Sequence, residues 1–219
     1  MYMKKITIIL VFLFSGLAMT DVAAQFGAGL VLSGDYYQWY RNPTVAGETE
    51  QQSAGNAILN GGIGPKVWIG KGGFSFSLEG QFNMGITAFD MHEYKGMGNI
   101  SFPLLAKLNF GALSSFKADA DKGFYIGGGL QYSRTEAYGL TADFEGNTTR
   151  GLFRTIVGEI GYGVGGKGFV ASTFVRLGFE KDNAFTLNVG SVIDLNFSKL
   201  IKEIELDETE EDVQIQSFL

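Results

Sequence analysis

Three observations predict an all-β fold, an eight-stranded antiparallel transmembrane β-barrel with a short periplasmic C-terminal tail. Eight segments alternate apolar and polar residues. Long polar connections alternate with short glycine-rich turns, as they do in such barrels. Composition points the same way: the 219 residues include 32 Gly, 19 Phe, 9 Tyr, 3 Pro and no Cys, with only 18% charged residues. The length fits one domain, and many aromatics with few prolines argue against disorder. Without cysteine there is no disulfide framework, thiolate metal site or thiol nucleophile.

Residues 1–24 read as a signal peptide. Lys4 and Lys5 give a positive start, residues 6–14 are apolar apart from Thr7, and Val22, Ala23 and Ala24 supply the small residues of a cleavage site before Gln25. The apolar run is too short to span a bilayer as a helix. No Cys follows the cleavage site, so a lipid-anchored protein is excluded. The chain after residue 24 holds no run of 18 apolar residues, which excludes helical spans.

The strands follow in order. Phe26, Ala28, Leu30 and Leu32 oppose Gly27, Gly29 and Ser33, and the aromatic stretch 36–40 follows. Leu59, Ile63, Val67 and Ile69 oppose Asn60, Gly62, Gly64 and Lys66. The clearest segment is 73–86: Phe74, Phe76, Leu78, Phe82, Met84 and Ile86 lie on one face, and Ser75, Ser77, Glu79, Gln81 and Asn83 on the other. Ile100, Phe102, Leu104, Leu108 and Phe110 oppose Ser101, Lys107 and Asn109. Phe124, Ile126, Leu130 and Tyr132 oppose Gly127, Gly129, Gln131 and Ser133. Ile156, Ile160 and Tyr162 oppose Thr155, Glu159 and Gly161. Phe169, Val175, Leu177 and Phe179 oppose Ser172, Arg176 and Glu180. Phe185, Leu187, Val189, Ile193, Leu195 and Phe197 oppose Asn188, Gly190, Asp194 and Asn196.

In hydrocarbon no backbone N–H or C=O can stay unpaired, so such a sheet must close on itself. Eight strands leave an interior that side chains can fill. Connections 41–57, 87–99 and 135–150 read as outer loops, and 70–73 and 163–167 as tight turns. Two connections fit less well: 111–123 is long for a periplasmic turn, and 181–184 is short for an outer loop. Pro65 and Pro103 fall inside strands and are candidate bulges, because proline donates nothing to the ladder. The domain plan is a barrel over 25–197 followed by an acidic tail over 198–219.

The rival fold is a soluble sandwich or lipocalin-like cup, with the apolar faces turned inward. The polar faces argue against it: they carry Lys66, Glu79, Lys107, Glu159, Arg176 and Asp194. In a barrel these six form a mixed-sign polar network that fills the lumen. The surrounding lipid bilayer of the outer membrane is then the first partner, and no nucleic-acid partner is indicated.

The stretch Asn99-Ile-Ser-Phe-Pro-Leu-Leu-Ala-Lys-Leu108 and the following Lys122-Gly-Phe-Tyr-Ile-Gly-Gly-Gly129 are similar to strands of the PorT-like small outer-membrane barrels. The resemblance covers those two strands and the rest of the chain by pattern only. It implies an outer-membrane barrel, with some members implicated in protein secretion across the outer membrane or in gliding, and it carries no catalytic residue set.

The residues themselves signal little chemistry. The single histidine, His92, sits between Asp90 and Glu93 and could serve as a general base in an enzyme acting on lipid or envelope components. No nucleophile accompanies it, and a polar loop residue is the plainer reading. The Gly-rich stretch 163–167 lacks the Ser/Thr and the helix of a phosphate loop. Asp119, Asp121, Asp143 and Glu145 are scattered loop acids rather than a calcium loop. No cofactor or metal is expected. In the tail, seven acids within 203–212 against Lys199 and Lys202 give a net charge of −5, and Val213, Ile215, Phe218 and Leu219 follow as apolar residues that a purely solvating tail does not need. They are the candidate docking residues for a protein partner. The preferred reading is a non-enzymatic barrel, an accessory or structural subunit of an outer-membrane complex. A small-solute pore ranks last, because eight strands leave so narrow a lumen.

Overall fold

The computed structural model describes residues 24–43, 54–88, 96–117, 121–140, 151–166, 168–180 and 183–199. Nine strand segments follow one another: β1 (Gln25–Arg41), β2 (Ala54–Lys71), β3 (Phe74–Gly80), β4 (Phe82–Ala88), β5 (Gly96–Gly111), β6 (Lys122–Leu140), β7 (Phe153–Gly166), β8 (Phe169–Phe179) and β9 (Phe185–Asn196). Neighbours pair antiparallel, and β9 returns to pair with β1, so the sheet has no free edge. β3 and β4 both lie between β2 and β5 and form one wall strand, which makes the ring eight-stranded. Closure satisfies the backbone in a medium without water.

The break at Gln81 has a local cause. The β2 register is continuous from Lys66 opposite Glu79 to Ile63 opposite Phe82, so the gap faces Gly64 and Pro65. Proline lacks the ladder donor. The Gln81 N–H donates to the Pro103 carbonyl of β5 at 2.9 Å, which keeps the wall joined.

Neither proline marks a bulge, contrary to the sequence reading. Pairing with β1 runs straight through Pro65, and pairing of β5 with β6 runs straight through Pro103. The register shifts lie elsewhere, between Asp35 and Tyr37 on β1 and between Met97 and Asn99 on β5. The first turns Tyr36 and Tyr37 both outward and returns Gln38 to the interior, as an extra residue in one strand must.

The strands also outrun their alternating segments at the end away from the termini. Arg41 still pairs with Ala54, and Gly96 with Leu140. Alternation exists only where the outer face meets an apolar medium, so its fading marks the edge of that medium and not the end of the strand.

The end that carries the termini is closed. The long connection after β5 is no simple turn: Ala112–Ser114 forms a 3-10 turn folded into the mouth, with Leu113 1% and Phe116 6% exposed. Gly111 (φ 66°) and Ser115 (φ 66°) make the reversals at either side of it. The Ser114 hydroxyl bonds the Gly72 carbonyl, and the Gly111 N–H donates to the Gly73 carbonyl at 2.8 Å, tying this plug to the β2–β3 turn. Leu113 enters an interior apolar cluster with Val31, Tyr125, Val170, Phe174 and Val192.

Candidate functional site: a filled lumen and an apolar outer wall

Inward-facing residues of six wall strands bring Lys66, Glu79, Lys107, Glu159, Arg176 and Asp194 into one chain of ion pairs. Asp194 meets Lys66 at 2.7 Å, Lys66 meets Glu79 at 2.9 Å, Glu79 meets Lys107 at 2.7 Å and Lys107 meets Glu159 at 2.6 Å. The Arg176 guanidinium then closes on Glu159. Charges alternate along the whole chain, and the six side chains are 0–5% exposed. Stranding one of these charges inside a protein is costly, whereas an alternating chain gives every charge an opposite neighbour.

Each cation also lies against an aromatic face that the sequence reading did not assign to the lumen. Lys66 Nζ is 5.3 Å from the Trp68 ring, Lys107 Nζ is 4.3 Å from Tyr125, and the Arg176 guanidinium is 5.0 Å from Phe174. Tyr125 donates its hydroxyl to Glu159 at 2.6 Å. These rings sit on the polar parity of their strands, so alternation alone concealed them. Glycines make the room: a Cβ on Gly127, which pairs with both Lys107 and Glu159, would fall 2.6 Å from Lys107 Cγ.

Toward the far end the chain gives way to amides. Asn188 and Asn60 donate to Asp35 at 2.7 and 3.4 Å, and Asn60 and Asn99 both donate to Gln38 Oε1. Arg176 Nη1 donates to Gln131 Oε1 at 3.2 Å, joining the two layers.

The outer wall is the reverse. Phe26, Ile63, Leu78, Leu104, Ile126, Ile156, Ile160 and Phe179 are 49–64% exposed. Aromatic positions pair across strands in a row at the terminal end, Phe74 with Phe110 and Phe110 with Phe124, at ring separations of 5.4 and 4.7 Å. Eight residues further along the same strands stand Phe82, Phe102 and Tyr132, with Phe82 and Phe102 rings 5.3 Å apart. Eight residues are about 26 Å of strand, or about 20 Å of height at a tilt of about 40°, close to the roughly 25 Å apolar band of membrane barrels. Apolar residues outside and charges within define an eight-stranded transmembrane β-barrel. An Arg at Leu78, which faces outward at 50% exposure, is therefore expected to lower folding stability in bilayers by about 2–4 kcal/mol, read by denaturant titration.

No family model matches the chain, and no curated protein matches it in sequence. Solved structures similar to it include Neisserial surface protein A, at 9% identity and TM-score 0.45, covering 80% of this chain and 100% of that one. Ail, the attachment invasion locus protein of Yersinia pestis, in complex with the heparin analogue sucrose octasulfate, is similar at 11% identity and TM-score 0.42 over 77% of this chain and 98% of its own. The outer membrane protein OprG from Pseudomonas aeruginosa gives 10% identity and TM-score 0.40 over 79% and 92%.

His92 and the docking candidates Val213, Ile215, Phe218 and Leu219 lie outside the described residues, as do residues 1–23. The sheet ends at Asn196, and 197–199 form a helical turn in which the Ser198 hydroxyl accepts the Ala28 N–H at 3.3 Å. No group of three or more metal-binding side chains occurs among the described residues.

Proposed function

We propose that the protein is a non-enzymatic outer-membrane barrel, an accessory or structural subunit of an outer-membrane complex, which works through its surfaces and not its interior. The observation that carries this reading is the filled lumen. An ion-pair chain crosses it, an amide layer lies beyond, and a 3-10 plug closes the terminal mouth. Such an interior supports neither a solute pore nor a substrate cavity along the axis. The signal-peptide pattern and the apolar wall support the outer membrane as its place. An even strand count puts both ends of the barrel on one side of the membrane, and the short turns β2–β3 and β7–β8 at that end support the periplasmic side for the tail.

The tail is the proposed protein-docking element, its apolar residues offsetting the cost of ordering a charged segment on a partner. Removing 200–219 keeps the Ser198 contact to Ala28 and leaves the wall intact. The truncated protein is expected to insert and to keep the heat-modifiable migration of a folded barrel on gels. Co-purification of its periplasmic or membrane partner is expected to fall at least tenfold. Full retention of every partner by the truncated protein overturns the docking role.

A further inference from the structure

Among the strand residues whose side chains are described, the acids Asp35, Glu79, Glu159 and Asp194 face the lumen. The charged strand residues described on the outer wall are basic: Arg41, Lys71, Lys122, Arg134 and Arg154. The two ends differ in kind. Lys71 and Lys122 flank the terminal end, and the three arginines stand at the far end. Arginine presents a planar fork that binds phosphate in two-point fashion, and lysine a point charge.

Two of the arginines are neighbours. Tyr132 on β6 pairs directly with Arg154 on β7, and Arg134 lies two residues beyond Tyr132 on the same face. Diagonal neighbours of this kind stand about 7–8 Å apart, a span that two long guanidinium side chains can close on one phosphate. Among the described residues they are poorly compensated. Arg154 reaches Glu180 only at 3.6 Å, with half its side chain exposed, and such surface pairs contribute little. Arg134 makes no ion pair among the described residues. Two like charges across a strand pair repel each other, so an anion seated between them relieves a cost already present in the fold.

The surroundings identify the source of that anion. Pro43, Tyr132, Phe153, Arg154 and Glu180 line a concavity of about 330 Å³ beside the pair. Leu152, Ile156 and Phe179 around it are 56–64% exposed and face outward. The arginines thus stand at the upper margin of the apolar wall, level with the headgroup of any lipid whose acyl chain packs on Ile156 and Phe179. We infer that Arg134, Arg154 and Tyr132 bind the phosphate of a phosphorylated lipid in the leaflet at the far end, the outer leaflet on the proposed orientation. Tyr132 is placed to donate its hydroxyl to the same group. Glu180 is the one carboxylate among the described side chains lining the site, and a single carboxylate at 3.6 Å does not match the charge of both arginines.

This site rests on the membrane reading, so the test keeps the two apart. The full-length mature protein is folded in detergent and titrated with lipid A bearing its phosphates, with native mass spectrometry reading bound lipid. Dephosphorylated lipid A and phosphatidylcholine serve as controls, and heat-modifiable gel migration reports folding. The expected result is retention of phosphorylated lipid A alone, weakened at least tenfold in R134Q/R154Q, weakened less in R134K/R154K, and unchanged in K71Q/K122Q. Inorganic phosphate at millimolar concentration should not displace the lipid. Equal retention by R134Q/R154Q that migrates as a folded barrel overturns the site. Displacement by inorganic phosphate overturns the lipid as its ligand. Failure of the wild-type chain to insert into bilayers would overturn the membrane reading instead, whatever the arginines bind.

Discussion

Replacing Lys107 with Met is expected to destabilise the barrel by about 3–5 kcal/mol. Lys107 stands between Glu79 at 2.7 Å and Glu159 at 2.6 Å, and its side chain is 0% exposed. Methionine matches its length, so the change removes charge more than volume. It leaves Glu79 to Lys66 and Glu159 to Arg176, and sets two carboxylates against each other where an ammonium had bridged them. The contact with the Tyr125 ring is lost as well. Urea unfolding in lipid vesicles, followed by tryptophan fluorescence, measures the loss. The double variant K107M/E79Q separates charge from packing: it removes one carboxylate of the facing pair and should recover a large part of the stability. If K107M and K107M/E79Q are equally unstable, the penalty comes from packing and the ion chain contributes little.

The wall of this barrel was legible in the sequence because lipid and lumen demand opposite side chains at alternate positions. Along 73–86 that demand is met without exception, and the structure carries it through Phe74, Leu78 and Phe82 outside and Ser77, Glu79 and Asn83 inside. The six ionisable residues of the ion chain stood out for the same reason: charges on a face opposite an unbroken apolar face have only the interior left to them. Their pairing was not legible. It depends on which strands lie side by side and in what register, and one-dimensional order does not state that Lys107 and Glu159 meet across Gly127.

Other features were hidden for reasons that can be named. Trp68, Tyr125, Phe174, Val31 and Val192 point into the lumen, yet an apolar residue on a polar parity reads as noise until its neighbours are known. The plug at Ala112–Ser114 contains no signal stronger than an overlong connection. The bulge at Tyr36 interrupts alternation for one step, which looks the same as the end of a strand. Proline drew attention as a bulge former, but Pro65 breaks the facing strand at Gln81 and leaves its own register intact.

Glycine in the lumen is a packing element, and Gly161 supplies the sharpest test of that. It pairs with Tyr125, and a Cβ placed on it would fall 2.4 Å from two carbons of the phenol ring. The ring lies against the glycine and is 4% exposed. From that position it donates to Glu159 and faces the Lys107 ammonium, so displacing it unseats two members of the ion chain at once. Gly161→Val is therefore expected to cost about 2–4 kcal/mol, combining overpacking with a lost hydrogen bond to a charged acceptor. Gly158, three residues earlier on β7, faces outward, and a Cβ there meets nothing within 4 Å. The same substitution at Gly158 should be neutral or slightly stabilising, because glycine is a poor strand residue where nothing requires it. Unfolding midpoints of the two variants in identical vesicles decide the matter. Equal losses at both positions would mean that valine disturbs the strand itself, and the phenol ring over Gly161 would then have no special part in holding the lumen together.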